Sequence, residues 1–131
     1  MKVVLDTNVI IAGFGTRGLC ADVLNACLDR HSNVLSDQIL AEVSKNLLSK
    51  FKLPTAQVKE ILRFLRQRAS IVVPANVPAE ACRDASDLPI LGTAVAAGAD
   101  CLISGDQDLL KIQHYEKTAI LSPRDFYESL R

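Results

Sequence analysis

Short apolar runs alternate along this chain with segments whose apolar residues recur at helical spacing, and this alternation constrains the fold most. The first run, residues 3–5 (VVL), is rich in β-branched residues and contains no polar residue. A strand of that kind has both faces covered, as in a parallel sheet that lies between layers of helices. The other predicted strands are residues 33–36, 70–74, 101–104 and 118–121.

Helical patterns fill the segments between these strands. Asp37 is placed to cap the helix that follows the second strand. Pro89 is tolerated in a first turn and Gly98 suits the position past a helix end, so a helix is predicted from about Asp87 to Gly98. The pattern predicts an α/β fold, a three-layer sandwich with a mainly parallel central sheet and helices on both faces. Further helices are predicted over 19–28, 55–65, 106–112 and 122–130, with a loop at 13–18.

Length and composition indicate one domain over residues 1–131. The chain has 49% hydrophobic and 23% charged residues, without a low-complexity tract or a Pro/Gly-rich linker. Its net charge of zero neither requires nor excludes a nucleic-acid partner, because a local basic patch does not show in the sum. Without a secretory pattern or an apolar run near the roughly 18 residues of a membrane span, we expect a cytoplasmic protein with no membrane association.

The cysteines and histidines do not form a recognisable site. No CxxC pair or other zinc spacing links the cysteines, and both histidines lie far from them in sequence. Scattered cysteines in a cytoplasmic domain are mostly small buried hydrophobic residues, and disulfides are rare there. We therefore expect neither a zinc site nor a disulfide among Cys20, Cys27, Cys82, Cys101, His31 and His114.

Polar residues follow several predicted strands at the point where each strand ends. In a parallel α/β sheet, ligands bind beyond the carboxyl ends of the strands, so these residues are candidates for a site. Each acid taken alone is readily explained as a turn former, a helix cap or a solvated residue. The candidates are Asp6 and Asn8, Ser36 and Asp37, Ser104 and Asp106, with Glu42 on the following helix and Asp84 and Asp87 at a helix start.

Glu42 can be judged by the periodicity of its own helix. It lies three residues after Ile39 and one before Val43, so it borders the apolar face rather than opposing it. An acid in that position needs a partner, and Lys45 at i+3 is a candidate for a local ion pair. A cation shared with other acids at the sheet edge is the alternative.

Convergence of Asp6, Glu42, Asp87 and Asp106 at one edge of the sheet would change their chemistry. Two carboxylates 4 Å apart repel by ~1 kcal/mol in water and by ~4 kcal/mol at an effective dielectric constant of 20. Such a cluster takes up protons or binds a cation. Oxygen ligands without organised Cys or His favour Mg²⁺ or Mn²⁺, whose usual chemistry is on phosphate esters. On this interpretation Asp6 is a metal ligand, and Asn8 holds the ligand geometry or a water by hydrogen bonds.

A basic stripe is predicted on the helix that follows Pro54. Lys59, Arg63 and Arg66 are spaced i, i+4 and i+7 beside its apolar face. The stripe is either a solvated helix face or a guide for an RNA backbone. Further basic residues in neighbouring segments are Lys50, Lys52 and Arg17.

Several stretches taken together resemble the PIN-domain family. They are VVLDTN near the N-terminus, LAEVSKNL around Glu42, RDASDLPILGTAVAAGADCLISGDQDLL (83–110) and the closing ILSPRDFYESL. In this order and spacing they are similar to the branch of that family described as toxin components of toxin–antitoxin pairs. The resemblance covers essentially the whole chain, and it implies a parallel sheet with helices on both sides.

The resemblance implies a ribonuclease that hydrolyses the RNA backbone by in-line attack of a water activated by Mg²⁺ or Mn²⁺. It also implies an antitoxin protein as partner, and a homodimer. Asp84 and Asp87 compete for the third acidic position, of which Asp87 is preferred, and Ser104 stands where Thr is usual. By position, the catalytic and metal-binding acids correspond to Asp6, Glu42, Asp87 and Asp106, the polar helpers to Asn8 and Ser104, and further contributors to Asp84 and Asp108.

Other classes fit these residues less well. A phosphatase of the haloacid dehalogenase type would need a second Asp where this chain has Asn8. A response-regulator receiver would need a Lys after the last strand, where this chain has SPRD. A PIN-like module that binds RNA or protein with weak hydrolysis remains the alternative, because acids can persist as a structural metal site.

Overall fold

The computed structural model of the chain describes residues 1–15 and 18–130, and these form a six-stranded sheet. Its strands are β1 (Lys2–Leu5), β2 (Ser32–Leu35), β3 (Ala69–Ile71), β4 (Cys101–Ile103), β5 (His114–Tyr115) and β6 (Thr118–Leu121). Their order in the sheet is β3-β2-β1-β4-β6-β5. Neighbouring strands pair in parallel, except that β5 runs antiparallel to β6.

Helices cover both faces of this sheet, which confirms the predicted three-layer α/β sandwich. Two short 3₁₀ turns, Ala79–Ala81 and Ala85–Asp87, precede the fifth helix. The α-helices are α1 (Thr7–Gly15), α2 (Leu19–Arg30), α3 (Asp37–Ser49), α4 (Thr55–Gln67), α5 (Leu88–Ala97), α6 (Gln107–Leu110) and α7 (Pro123–Ser129).

The core lies around the two central strands, β1 and β4. Val3 and Val4 in β1 and Leu102 in β4 are completely buried, as the uninterrupted apolar runs predict. Helix α5 packs against β1, β2 and β4, and Gly98 ends it in the left-handed conformation (φ 59°). Burial of β1 on both faces fixes its carboxyl end, where Asp6 follows, at the middle of the sheet edge.

Helix α1 is absent from the sequence-based prediction, which placed a loop at 13–18. Residues 13–15 belong to this helix, and residues 16–17 of the predicted loop lie outside the described part of the chain. The helix is apolar and largely buried through Val9, Ile10 and Ile11, so no polar face marks it in the sequence. Gly13 permits its close approach to α2, because a Cβ there would lie 2.7 Å from Cδ2 of Leu24.

The cap of α3 also differs from the prediction. Ser36 is the capping residue, since its Oγ accepts a hydrogen bond from the backbone N of Ile39 at 3.4 Å, whereas Asp37 is the first helical residue. Because Ser36 and Asp37 are both good capping residues and are neighbours, the sequence does not show which of them caps the helix. The predicted third strand ends early, at Ile71, and Val73 beyond it is 84% exposed.

Strand β5 is a further difference from the prediction. It has only two residues, one exposed and one half-buried, and so short a segment shows no strand pattern in the sequence.

Within the described residues, no single helix is long and apolar enough to cross a membrane. Helices α1 and α2, which are bent against each other, are together long and apolar enough, by length and composition alone.

Candidate active site

Asp6 follows the central strand β1 and is held there by hydrogen bonds on every side. Its backbone N donates to Ile103 O at 2.9 Å, which ties it to the neighbouring strand β4. Its Oδ1 accepts from Thr7 N at 2.7 Å, and its Oδ2 accepts from the Ser104 hydroxyl at 2.6 Å. The residue is 4% exposed. Its carboxylate therefore has a fixed orientation at the carboxyl edge of the sheet.

Burial raises the pKa of Asp6 above its usual range. Hydrogen bonds from Ser104 and Thr7 oppose that shift, while the negative charges of Glu42 and Asp106 add to it. These contributions place Asp6, Glu42 and Asp106 within one electrostatic environment.

Asp87 is the second buried acid at this edge. It ends the 3₁₀ turn Ala85–Asp87, is 5% exposed, and its Oδ2 accepts a hydrogen bond from the Cys82 thiol at 3.8 Å. Its pKa is raised from 3.8 to about 7, chiefly by burial and further by the negative charge of Asp106 and a hydrogen bond with the Asp106 carboxyl group. Asp6 contributes in the same direction. The Asp87 carboxyl group therefore resists the loss of its proton.

Asp106 connects the two buried acids through its backbone and its charge. Its N donates to the Ser104 hydroxyl at 3.0 Å, so one hydroxyl group is bonded to Asp6 and to the backbone of Asp106. Its Oδ1 accepts from Asp108 N at 2.8 Å and caps α6. Asp106 therefore caps a helix, as its sequence position suggested, and its charge also acts on the two buried acids.

Glu42 and Asn8 lie at the solvent side of this region. Glu42 is exposed on α3, and its charge acts on Asp6. The local alternative does not form, since no ion pair joins Glu42 to Lys45, both of which are described. Asn8 is exposed on α1 and lines a surface depression with Lys50 and Phe51.

Asp84 and Asp87, which the sequence left as competitors, lie in different environments. Asp84 is exposed, and its Oδ1 accepts from the N and the Oγ of Ser86 at 2.9 and 2.8 Å. Those hydrogen bonds lower its pKa, in contrast to the raised pKa of Asp87. Asp84 caps a turn, whereas Asp87 faces the other acids. We refer below to Asp6, Glu42, Asp87 and Asp106 as the acidic cluster.

Two polar contacts near the cluster carried no signal in the sequence. Cys82 comes from the irregular segment before the 3₁₀ turn, so its approach to Asp87 depends on how that segment folds. The Thr93 hydroxyl in α5 donates to Pro89 O at 2.7 Å and accepts from the Ser36 hydroxyl at 2.9 Å, which joins two fully buried hydroxyls behind the sheet edge. Cys27, Cys82 and Cys101 are buried as expected, whereas Cys20 is only partly buried.

The basic stripe (Lys59, Arg63 and Arg66) lies on one face of α4, and these residues line a shallow depression of ≈ 410 Å³. Two of its three cations have acidic partners. Arg63 pairs with Glu60 of the same helix at 3.1 Å, and Arg66 pairs with Asp37 of α3 at 2.8 Å. Arg17, which was grouped with the stripe, lies outside the described residues.

The residues of the cluster suit a hard cation by donor type and charge. Carboxylates that are buried together and resist ionisation gain from a cation that neutralises them. Within residues 1–15 and 18–130, however, no three His, Cys, Asp or Glu side chains form a ready coordination set. The acids of the cluster are therefore close enough for their charges to interact, but they are not arranged as a complete set of metal ligands.

The fold and the cluster define an α/β protein with an acidic site at the carboxyl edge of a mainly parallel sheet. The family model described as PIN domain matches residues 2–108, and the chain belongs to the PIN-domain family. PIN domains are generally nucleases that depend on divalent metal ions.

Solved structures agree on the fold. A chain in the crystal structure of VapBC2 from Rickettsia felis bound to a DNA fragment from their promoter is similar, with a TM-score of 0.63. Its sequence is 16% identical, and the match covers 93% of this chain and 98% of that one. No curated protein matches the chain in sequence.

Proposed function

We propose that this chain is a single-domain, cytoplasmic, metal-dependent endoribonuclease that hydrolyses RNA phosphodiester bonds with a metal-activated water. The observation that supports this most directly is the burial of two carboxyl groups, Asp6 and Asp87, beside Asp106 at one edge of the sheet, which raises the pKa of Asp87 to about 7. A folded protein that gathers carboxylates in this way gains from a bound cation. Membership of the PIN-domain family supports a nuclease.

In this proposal Asp6, Asp87 and Asp106 hold Mg²⁺ or Mn²⁺, with Glu42 at the solvent side. The ion, when bound, lowers the pKa of a water and neutralises charge on phosphoryl oxygens. Ser104 keeps Asp6 in one orientation through its 2.6 Å hydrogen bond, and the same hydroxyl fixes the backbone of Asp106. Asn8 and Asp84, which are exposed, and Asp108, which is half-buried, are supporting residues.

RNA would approach along the basic stripe. Lys59, Arg63 and Arg66 share one depression on α4, a helix that packs against α3, which carries Glu42. Each phosphate contact releases counterions, so affinity should fall with rising salt. Changing all three residues together to Glu should weaken RNA binding and flatten its salt dependence.

Cleavage of a structured RNA mixture with Mg²⁺, Mn²⁺ or EDTA tests the proposal. We expect metal-dependent cleavage that falls by about a hundredfold or more in Asp6→Asn and Asp87→Asn. Asp84→Asn is the comparison variant and should reduce cleavage far less, because this supporting acid is exposed and hydrogen-bonded to Ser86. Equal losses in the Asp84 and Asp87 variants would contradict the assignment of Asp87, and cleavage unaffected by Asp6→Asn would contradict the site.

We further propose that the chain is the toxin of a toxin–antitoxin pair. The similar structure of VapBC2, a complex bound to promoter DNA, supports a protein partner. An apolar groove of ≈ 410 Å³ between α1, α3 and α4, with Phe14 and Phe51 exposed, is a surface on which an antitoxin could dock. Homodimerisation is a separate proposal, tested by the mass of the purified protein in solution.

Induced expression tests the toxin proposal. Wild type should arrest growth and Asp6→Asn should not, at equal protein levels. Growth unaffected by wild type that cleaves RNA in vitro would contradict the toxin role and leave the nuclease in place.

A second candidate function is a PIN-like module that binds RNA or protein with little hydrolysis. The absence, within the described residues, of a formed set of three ligands favours it. Titration calorimetry with Mn²⁺ separates the candidates, because the nuclease requires binding that Asp6→Asn weakens. No heat of binding for wild type, together with no cleavage, would favour the binding module.

A further inference from the structure

One cation of the basic stripe is paired with an acid from a different helix. Nη2 of Arg66 on α4 lies 2.8 Å from Oδ1 of Asp37, the first residue of α3. The Arg66 and Asp37 side chains are 52% and 72% exposed. Arg63, in contrast, pairs within its own helix with Glu60. The Asp37–Arg66 pair thus links the end of the stripe to the start of α3.

Asp37 marks the point where the stripe meets the carboxyl edge of the sheet. It follows Ser36, the first residue after β2, and β2 is the parallel neighbour of β1 in the register Val3↔Asn33. Continuing that register brings Ser36 level with Asp6, on strands about 4.8 Å apart. Arg66 is therefore the member of the stripe that is tied to this edge.

We propose that Asp37 competes with RNA phosphate for Arg66, so that this ion pair opens when an RNA backbone passes from the stripe towards the acidic cluster. The proposal rests on the RNA-binding part of the proposed function. A phosphodiester offers Arg66 the same charge-assisted hydrogen bond that Asp37 supplies. In the free protein Asp37 neutralises Arg66 and repels an incoming phosphate at the same place.

The size of the competition follows from the exposure of the pair. An exposed ion pair with a single contact changes an equilibrium constant by about 1.4- to 5-fold. RNA can therefore displace Asp37 easily, and Asp37 lowers RNA affinity by no more than that factor. A buried pair would instead have blocked the contact.

Binding of a fluorescein-labelled oligouridylate in EDTA, over a series of NaCl concentrations, tests the proposal. We expect Asp37→Asn to tighten binding by about two- to fivefold at low salt. Arg66→Gln should weaken binding and reduce the slope of log affinity against log salt by roughly 0.7. In the double variant, Asp37→Asn should have no further effect, because it acts through Arg66.

Asp125→Asn is the matched control, since it removes one negative charge from the exposed helix α7 without touching the stripe. The proposal is overturned if Asp37→Asn tightens binding no more than Asp125→Asn, or if it tightens binding equally when Arg66 is Gln. Wild type that shows no salt-dependent binding would overturn the RNA-binding part of the proposed function as well. Unchanged melting temperatures of these exposed variants show that the fold is retained.

Discussion

Two buried hydroxyl groups lie beside Asp6, and they differ in their hydrogen bonds. The Ser104 hydroxyl donates to Asp6 and accepts from Asp106 N, whereas the Thr7 hydroxyl is buried without a hydrogen-bond partner within the described residues. Ser104 is a candidate in the sequence because it ends a predicted strand, and its role as a polar helper is what the resemblance to PIN domains implies. The sequence could not show that Thr7, one residue after Asp6, would have a hydroxyl without a partner, since that depends on three-dimensional packing.

These two residues therefore predict opposite effects of removing a hydroxyl. Ser104→Ala leaves a carboxylate oxygen of Asp6 and the N of Asp106 without their partner, so the free energy of unfolding should fall by about 1–3 kcal/mol. Thr7→Val removes an unsatisfied hydroxyl at nearly constant volume, so it should leave stability unchanged or raise it by up to about 1 kcal/mol. Urea denaturation measures both. Equal losses in the two variants would contradict this account.

The segment between β3 and α5 holds both Cys82 and Asp84, and it is fastened to α5 at one glycine. Ala75 N donates to Gly92 O at 2.9 Å, and a Cβ on Gly92 would lie 2.4 Å from Ala75 O. The sequence predicted α5 from Pro89 and Gly98. Gly92 within this helix has a low helix propensity, and the sequence does not show why it is needed there. The segment that Gly92 contacts has no periodic pattern in the sequence. Helix α1 likewise shows no pattern, because it has no polar face. Such elements are set by tertiary packing, which the local pattern does not contain.

Gly92→Ala should therefore destabilise the protein although alanine favours a helix. The backbone oxygen of Ala75 must move, which should lower the free energy of unfolding by about 1–3 kcal/mol. Gly15→Ala in α1 is the control, because a Cβ there would meet no described residue beyond its own helix and chain neighbours within 4 Å, so it should be neutral or stabilising by up to about 1 kcal/mol. Thermal unfolding of both variants checks this. A stabilised Gly92→Ala protein would mean that the segment moves aside freely.

At the scale of the whole molecule, the strand order gathers acids that are far apart in sequence. β1 lies between β2 and β4, so Asp6 is placed between residues that follow those two strands. The alternation of strands and helices predicted that edge. It could not separate Asp84 from Asp87, since both lie beside the start of α5 and differ in burial, which follows from the folded segment.

Burial of Asp87 should make the stability of the metal-free protein depend on pH. Its pKa is raised from 3.8 to about 7, so the folded state binds this proton more tightly than the unfolded state. The resulting stabilisation is fully present below about pH 4 and is lost as the pH rises through about 7. His31, whose pKa is lowered chiefly by burial, acts in the opposite direction, so a difference from wild type must be measured.

Asp87→Asn removes the ionisable group, so in EDTA its advantage in stability over wild type should grow between pH 5 and about 8. Asp84→Asn should show no such growth, because the pKa of Asp84 is lowered and the group is ionised throughout that range. Excess Mn²⁺ should reverse the order at about pH 8, since an ion bound by ionised Asp87 stabilises the wild type more than the variant. Urea denaturation across pH, with and without Mn²⁺, measures both effects. If the stability advantage of Asp87→Asn did not change with pH, the raised pKa of the buried Asp87 carboxyl group would be contradicted. If wild type gained no stability from Mn²⁺, the role of Asp87 as a metal ligand would be contradicted.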